Sequence, residues 1–198
     1  MNKVPMTGEE SFRIIQQMIE VAKDEQNDRG DGWLIWGWIL FSVSVLSAIF
    51  MKTGMGKYIG TAWTAALVLG LVIYFLAHVV VKKKKELSKT YVKDILDRIG
   101  TGFFISLFVL VAASFLTNSI SAFGYYYVLY AFWMFIYGSV LKFRPLIYGA
   151  VINWIAAISI FMIKDFFFIM VISAVAILLG YIIPGYKLRA EYNKKKQS

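Results

Sequence analysis

Five runs of the chain carry no charged side chain: residues 32–51, 58–81, 99–141, 146–163 and 166–186. Charged residues collect between them. About 18 apolar residues suffice for a membrane-crossing helix, and every run reaches that length. The third run is long enough for two helices. As a single helix it would extend about 60 Å at 1.5 Å per residue, twice the hydrocarbon thickness. Its one polar cluster, Thr117-Asn118-Ser119-Ile120-Ser121 followed by Gly124, supplies a turn. The pattern predicts six spans, near residues 33–51, 58–81, 99–116, 123–141, 146–163 and 166–183. Pro184-Gly185 is expected to end the last, because proline lacks an amide donor and glycine tolerates left-handed backbone.

The Lys and Arg residues alternate in density between the spans. Four precede the first span, and the five loops hold 2, 7, 0, 2 and 1. Five more follow the last span, so one side receives 18 and the other 3. The positive-inside rule then puts both termini in the cytoplasm. Trp33, Trp36 and Trp38 would sit at the inner interface, and Tyr125 to Tyr127 with Phe166 to Phe168 at the outer one. The outer loops are too short for an external receptor domain.

Before the first span, residues 7–28 read as an amphipathic helix. Thr7 and Glu10 have capping-box spacing, and Phe12, Ile15, Ile19 and Ala22 form one apolar stripe. Gly30-Asp31-Gly32 breaks this helix. Packing on its own chain or at the lipid interface is the simpler role. Docking of a cytoplasmic protein or a second copy through Phe12, Ile15 and Ile19 is the functional one. Seven acids against four bases in residues 1–31 oppose an anionic-lipid anchor. The second loop is its opposite in sign. There Lys82, Lys83, Lys84 and Lys85 retain the loop inside and offer a contact for anionic lipid, and Tyr91, Ile95 and Ile99 suggest a juxtamembrane helix. The acidic helix is expected to lie against this basic loop.

Composition agrees with the pattern. Hydrophobic residues are 59% of 198 and charged residues 17%, against about 25% charged in soluble domains. The net charge of +9 belongs to topology rather than to nucleic acid, which is not an expected partner. Cysteine is absent, which excludes disulfides, thiolate metal sites and cysteine nucleophiles. The polar, acidic start is unlike a cleaved signal, so the first span is expected to remain as an anchor.

Candidate chemistry is sparse. No Asp, Glu, Lys or Arg falls within a predicted span, whereas ion-coupled transport usually needs a carboxylate at mid-depth. His78, three residues from the end of the second span, reads as an interfacial or capping group before a proton relay. Phosphate-loop, dinucleotide and zinc-protease motifs are missing, so no enzyme activity, metal or cofactor is expected. Asn153 is the most polar residue deep in a span. Rise per residue puts Trp133, Asn153 and Trp154 about 11–12 Å from the inner end, with Tyr137 a turn below Trp133. These four residues make either an interhelical polar contact that fixes packing or the floor of an aromatic-lined pocket. Small residues spaced by four, Ala62, Ala66 and Gly70 in the second span and Ala176 and Gly180 in the sixth, predict close helix contacts.

The run Gly32-Trp33-Leu34-Ile35-Trp36-Gly37-Trp38 after an acidic capped helix is similar to the opening of small bacterial membrane proteins with no assigned activity. The segment from Gly138 through Lys142-Phe143-Arg144-Pro145 to Gly149, and the closing Tyr181-Ile182-Ile183-Pro184-Gly185-Tyr186, resemble later parts of such proteins. The resemblance covers most of the chain. It implies an inner-membrane six-span bundle and carries over no catalytic or binding residue.

The expected fold is therefore all-α: a polytopic membrane protein with six transmembrane helices in one bundle, both termini inside. Residues 1–31 form the cytoplasmic helix and linker, 32–186 the bundle, and 187–198 a basic cytoplasmic tail. The bilayer is its first partner, with a cytoplasmic protein or a second copy as the other. The expected role is a non-enzymatic scaffold or regulator in the bacterial inner membrane. The alternative is a small-solute transporter or channel with an aromatic-lined site near mid-membrane.

Overall fold

A computed structural model describes residues 30–82, 91–117 and 122–197, and the regular elements among them are all helical. The stripe Phe12, Ile15 and Ile19, and Lys83, Lys84 and Lys85, lie outside the described residues, as do the side chains of Lys82 and His78. Helix α1 spans Asp31–Lys52, and a 3-10 turn at Gly56–Tyr58 leads into α2, Ile59–Lys82. Then come α3 Tyr91–Thr117, α4 Ala122–Val140 and α5 Arg144–Met162. The last helix has three parts: α6 Phe166–Ile177, a π-helical turn Leu178–Ile182, and α7 Ile183–Gln197.

Five of these helices are long and apolar enough to cross a membrane. They are α1, α2, α3, α5 and the continuous last helix. Helix α4 has 19 residues and no charge, but Tyr125, Tyr126, Tyr127, Tyr130 and Tyr137 lower its hydropathy. The predicted juxtamembrane stripe Tyr91, Ile95 and Ile99 is the first part of α3 itself, which begins eight residues before the predicted span.

Neighbouring helices run antiparallel, as short connections require. Along α1 and the last helix, Gly30 lies by Gly185, Gly37 by Tyr181 and Ile182, and the Lys52 ammonium sits 4.5 Å over the Phe167 ring. Along α4 and α5, Gly138 lies by Leu146 and Gly124 by Phe161. Helix α2 packs on α1, where Gly70 receives the Trp36 ring, and α3 packs on α4. These two are peripheral: only 6% of the apolar α2 window and 11% of that of α3 are buried, against 39% for α5 and 50% for the last helix. The core is formed by α1, α4, α5 and α6. The exposed surface of α2 and α3 is largely apolar, including Val68, Leu69, Val72, Ile105, Phe108 and Leu116. Water would penalise such a surface, and hydrocarbon does not.

Local chemistry explains the helix ends. The Asp165 carboxylate accepts from the Phe167 amide at 2.8 Å and caps α6. Between α4 and α5 the chain turns in three residues. Phe143 N donates to Gly138 O at 2.8 Å and Lys142 N to Ser139 O at 3.2 Å, with Lys142 left-handed at φ 53°. Two such bonds around a left-handed residue make a Schellman closure, usually built on glycine. Pro145 then falls in the first turn of α5, where its missing amide would be unpaired in any case.

Pro184-Gly185 does not end the last helix. A proline ring collides with the carbonyl four residues earlier, here that of Gly180, and offers it no donor. The wide π turn immediately before Pro184 lifts that conflict by bonding i to i+5, so the helix continues to Gln197. Gly185 lies inside this helix, buried against Trp33 and Leu34 of α1.

Candidate functional site

The sequence points to Asn153, and its surroundings define the centre of the protein. Asn153 is 1% exposed at the middle of α5. Its Nδ2 donates to Gly149 O, one turn earlier on the same helix, at 2.8 Å, and reaches Met134 Sδ of α4 at 3.5 Å. The π turn closes the remaining side. A methyl group at Gly180 would run into Asn153 Nδ2, and one at Gly149 would run into the Gly180 carbonyl. Three elements therefore meet around one amide. The expected interhelical hydrogen bond is mainly an intrahelical one, with the soft sulfur of Met134 as the contact across helices.

The four residues expected to form one cluster are divided between separate contacts. Trp133 turns towards α3, stacked on Phe103 with ring centroids 5.5 Å apart, and packs on Tyr137 at 5.4 Å. Trp154 lies against Phe135 at 5.6 Å. The residue that α4 presents to Asn153 is Met134. Trp133 and Tyr137 are thus brought together, while Asn153 and Trp154 have other neighbours.

Trp133 and Tyr137 instead belong to a closed circuit of six aromatic side chains. Trp33 contacts Tyr137 at 5.3 Å and Tyr181 at 4.8 Å. Tyr181 contacts Tyr130 at 6.2 Å, Tyr130 contacts Phe103 at 5.6 Å, and Phe103 returns to Trp133. The circuit joins α1, α3, α4 and the π turn. Each such pair adds about 0.5–1.5 kcal/mol beyond area burial, so it clamps the peripheral α3 to the core. Sequence pattern assigned Trp33 to an interface, left Tyr130 and Phe103 unremarked, and named Tyr181 only as part of the closing segment. Their spacing is that of ordinary apolar helix faces and gave no signal. Towards the other end of the bundle, by the start of α4, Trp63 Nε1 donates to Ser47 Oγ at 3.1 Å, and Ser114 Oγ meets Tyr126 O–H at 2.7 Å.

No protein family, curated protein or solved structure matches the chain significantly.

Two further features complete the picture. A groove of about 260 Å³ opens between α3 and α4, lined by Ile99, Gly102, Phe103, Ser106, Phe132 and Trp133. Where α1 begins, the Asp31 carboxylate lies 3.8 Å from Arg189 Nε of α7, and Trp38 Nε1 donates to the Tyr186 hydroxyl at 3.3 Å. Among the described residues no three His, Cys, Asp or Glu side chains come together as a metal site would require.

Proposed function

We propose that this chain is a six-span inner-membrane bundle with both termini in the cytoplasm, acting as a non-enzymatic scaffold or regulatory module through its cytoplasmic face. The observation that carries this reading is the filled centre. Asn153, the one side-chain amide buried among the described residues, is enclosed by Gly149, Met134 and Gly180 with its Nδ2 already bonded. A solute site there would require the helices to part. The charge pattern adds support, since 18 of 21 Lys and Arg residues fall on one side. Antiparallel packing agrees with that count, because it brings the Gly30 end of α1, the 141–143 turn and the base of α7 to a common end.

The test is crosslinking in native membranes, comparing the full chain with a variant lacking residues 1–28. A defined partner captured by the full chain and lost on deletion supports a scaffold. The same captures from both, or none from either, count against it.

A second reading, a small-solute transporter or channel, is favoured by one observation: the groove beside Trp133 between α3 and α4. It moves the expected aromatic-lined site from the interior to a lateral opening. Solute flux in proteoliposomes, abolished by Trp133→Ala in a protein that still folds, would select this reading over the first.

A further inference from the structure

Most hydroxyls on the helices of this protein are bonded to their own backbone. Ser44, Ser47, Ser114 and Ser159 each donate to the carbonyl four residues earlier at 2.7–2.9 Å, and Thr64, Thr101 and Thr117 do the same. Such a bond satisfies a hydroxyl where water is absent. Ser106 of α3 departs from the pattern: it is exposed and makes no hydrogen bond among the described residues. It is the twelfth of the twenty residues in the apolar stretch Ile95–Ser114, which puts its hydroxyl at mid-depth. Ser106 lines the groove of about 260 Å³ between α3 and α4. The indole N–H of Trp133, a residue of the same lining, donates to no described residue either. Both groups reach the surface, since Ser173 Oγ is the one sealed and unbonded side-chain atom among the described residues.

Two unbonded donors at hydrocarbon depth carry a cost that a ligand offering acceptors would relieve. The rest of the lining sets the shape of that ligand. Phe103 and Trp133 stack with ring planes 30° apart, and Phe132 joins the lining while 54% exposed. A Cβ added at Gly102 would meet nothing within 4 Å, so the groove is open there. Aromatic walls favour a flat ring. The volume lies just below the roughly 300 Å³ at which small-molecule pockets begin, which suits one ring and not a whole lipid. Depth removes the commonest acceptors, because phospholipid ester carbonyls stay near the head groups, about 15 Å from the bilayer centre. The acceptors then belong to a molecule that dissolves in hydrocarbon. We propose that this groove binds the ring of a lipid-soluble quinone, with Ser106 and Trp133 donating to its carbonyl oxygens and the isoprenoid tail left in the bilayer. The site goes beyond the scaffold reading and rests on it only for the placement of α3 and α4 across the membrane.

The test is photolabelling of the full chain in nanodiscs of zwitterionic lipid, with a radiolabelled azido-benzoquinone that carries a short alkyl tail. Peptide mapping should place the label on the α3 and α4 residues that line the groove. Excess unlabelled quinone should suppress it, and an alkylbenzene of the same tail length should not. Gly102→Leu fills the groove from a position where a side chain meets no other part of the protein, and should abolish the label. Ser106→Ala should raise the quinone concentration needed for half-suppression by between about twofold and tenfold, the worth of one hydrogen bond. Ser106→Thr, which keeps the hydroxyl, should stay near the parent. Trp133→Phe, which keeps a ring beside Phe103 and removes the N–H, should weaken binding as Ser106→Ala does. Monodispersity and unchanged far-UV helicity check that each variant is folded. Equal suppression by the alkylbenzene would overturn the proposal, since the groove would then take any hydrocarbon. So would label outside the groove, or label indifferent to Gly102→Leu. Absence of label in a chain whose Asn118→Cys reacts from outside overturns the site and leaves the six-span placement standing.

Discussion

Asn153 Nδ2 occupies the space into which any side chain at position 180 would project. This pairing of an amide on α5 with a glycine in the π turn fixes how closely the last helix approaches its neighbour. A Gly180→Ala variant must move either Asn153 or the π turn. Overpacking of this kind typically costs about 1–3 kcal/mol. Gly102, where a methyl group meets nothing within 4 Å, is the control. Chemical unfolding in micelles should show Gly180→Ala destabilised by that amount and Gly102→Ala no less stable than the parent, with a gain of up to about 1 kcal/mol from the better helix former.

Around the same point, packing outweighs hydrogen bonding. Met134 is fully buried and Asn153 is 1% exposed, so both truncations leave a cavity. Loss of a polar contact within a membrane protein averages about 0.6 kcal/mol, reaching about 2. Truncating a buried Met to Ala costs about 2–5 kcal/mol. Met134→Ala is therefore expected to destabilise more than Asn153→Ala in the same unfolding assay. The reverse order would mean that the amide anchors more than its bonds to Gly149 and Met134.

The turn between α4 and α5 stores strain that substitution can release. Lys142 holds φ 53°, a conformation that costs a residue with a Cβ roughly 1–2 kcal/mol relative to the usual helical region. Lys142→Gly removes that cost and loosens the unfolded chain, which offsets part of the gain. The expected net result is a rise in stability of up to about 1 kcal/mol, read as a higher midpoint of thermal unfolding.

At the opposite end, Asp165 caps α6 through the Phe167 amide. Asp165→Ala should lose about 1 kcal/mol, and Asp165→Asn much less, because an amide oxygen also caps. Equal losses from the two would make the charge, rather than the cap, responsible.

Much of the helix pattern was legible because burial in lipid leaves a one-dimensional record. Uncharged runs predicted α1, α4 and α5 to within two residues at each end. Gly180 marked a close approach of backbones correctly, against Gly149 of α5, whereas Gly70 makes room for the Trp36 ring of α1. The fate of Pro184 was not legible. Proline stops a helix by local rules, and the widened turn that lets this one pass depends on Gly180 packing against α5. The side chains around Asn153 were not legible for a different reason. Rise per residue gives depth along each helix, but the rotation of α4 against α5 follows from packing, which turned Met134 inward and Trp133 towards Phe103.

The central claim is the six-fold crossing with both termini inside, and cysteine accessibility tests it most directly. Single cysteines at Met55, Asn118 and Lys164 should react with a membrane-impermeant maleimide on intact spheroplasts. Cysteines at Ser88 and Ser198 should react only after permeabilisation. Labelling of Ser88 or Ser198 from outside, or protection of Asn118 while Met55 and Lys164 react, would contradict the account.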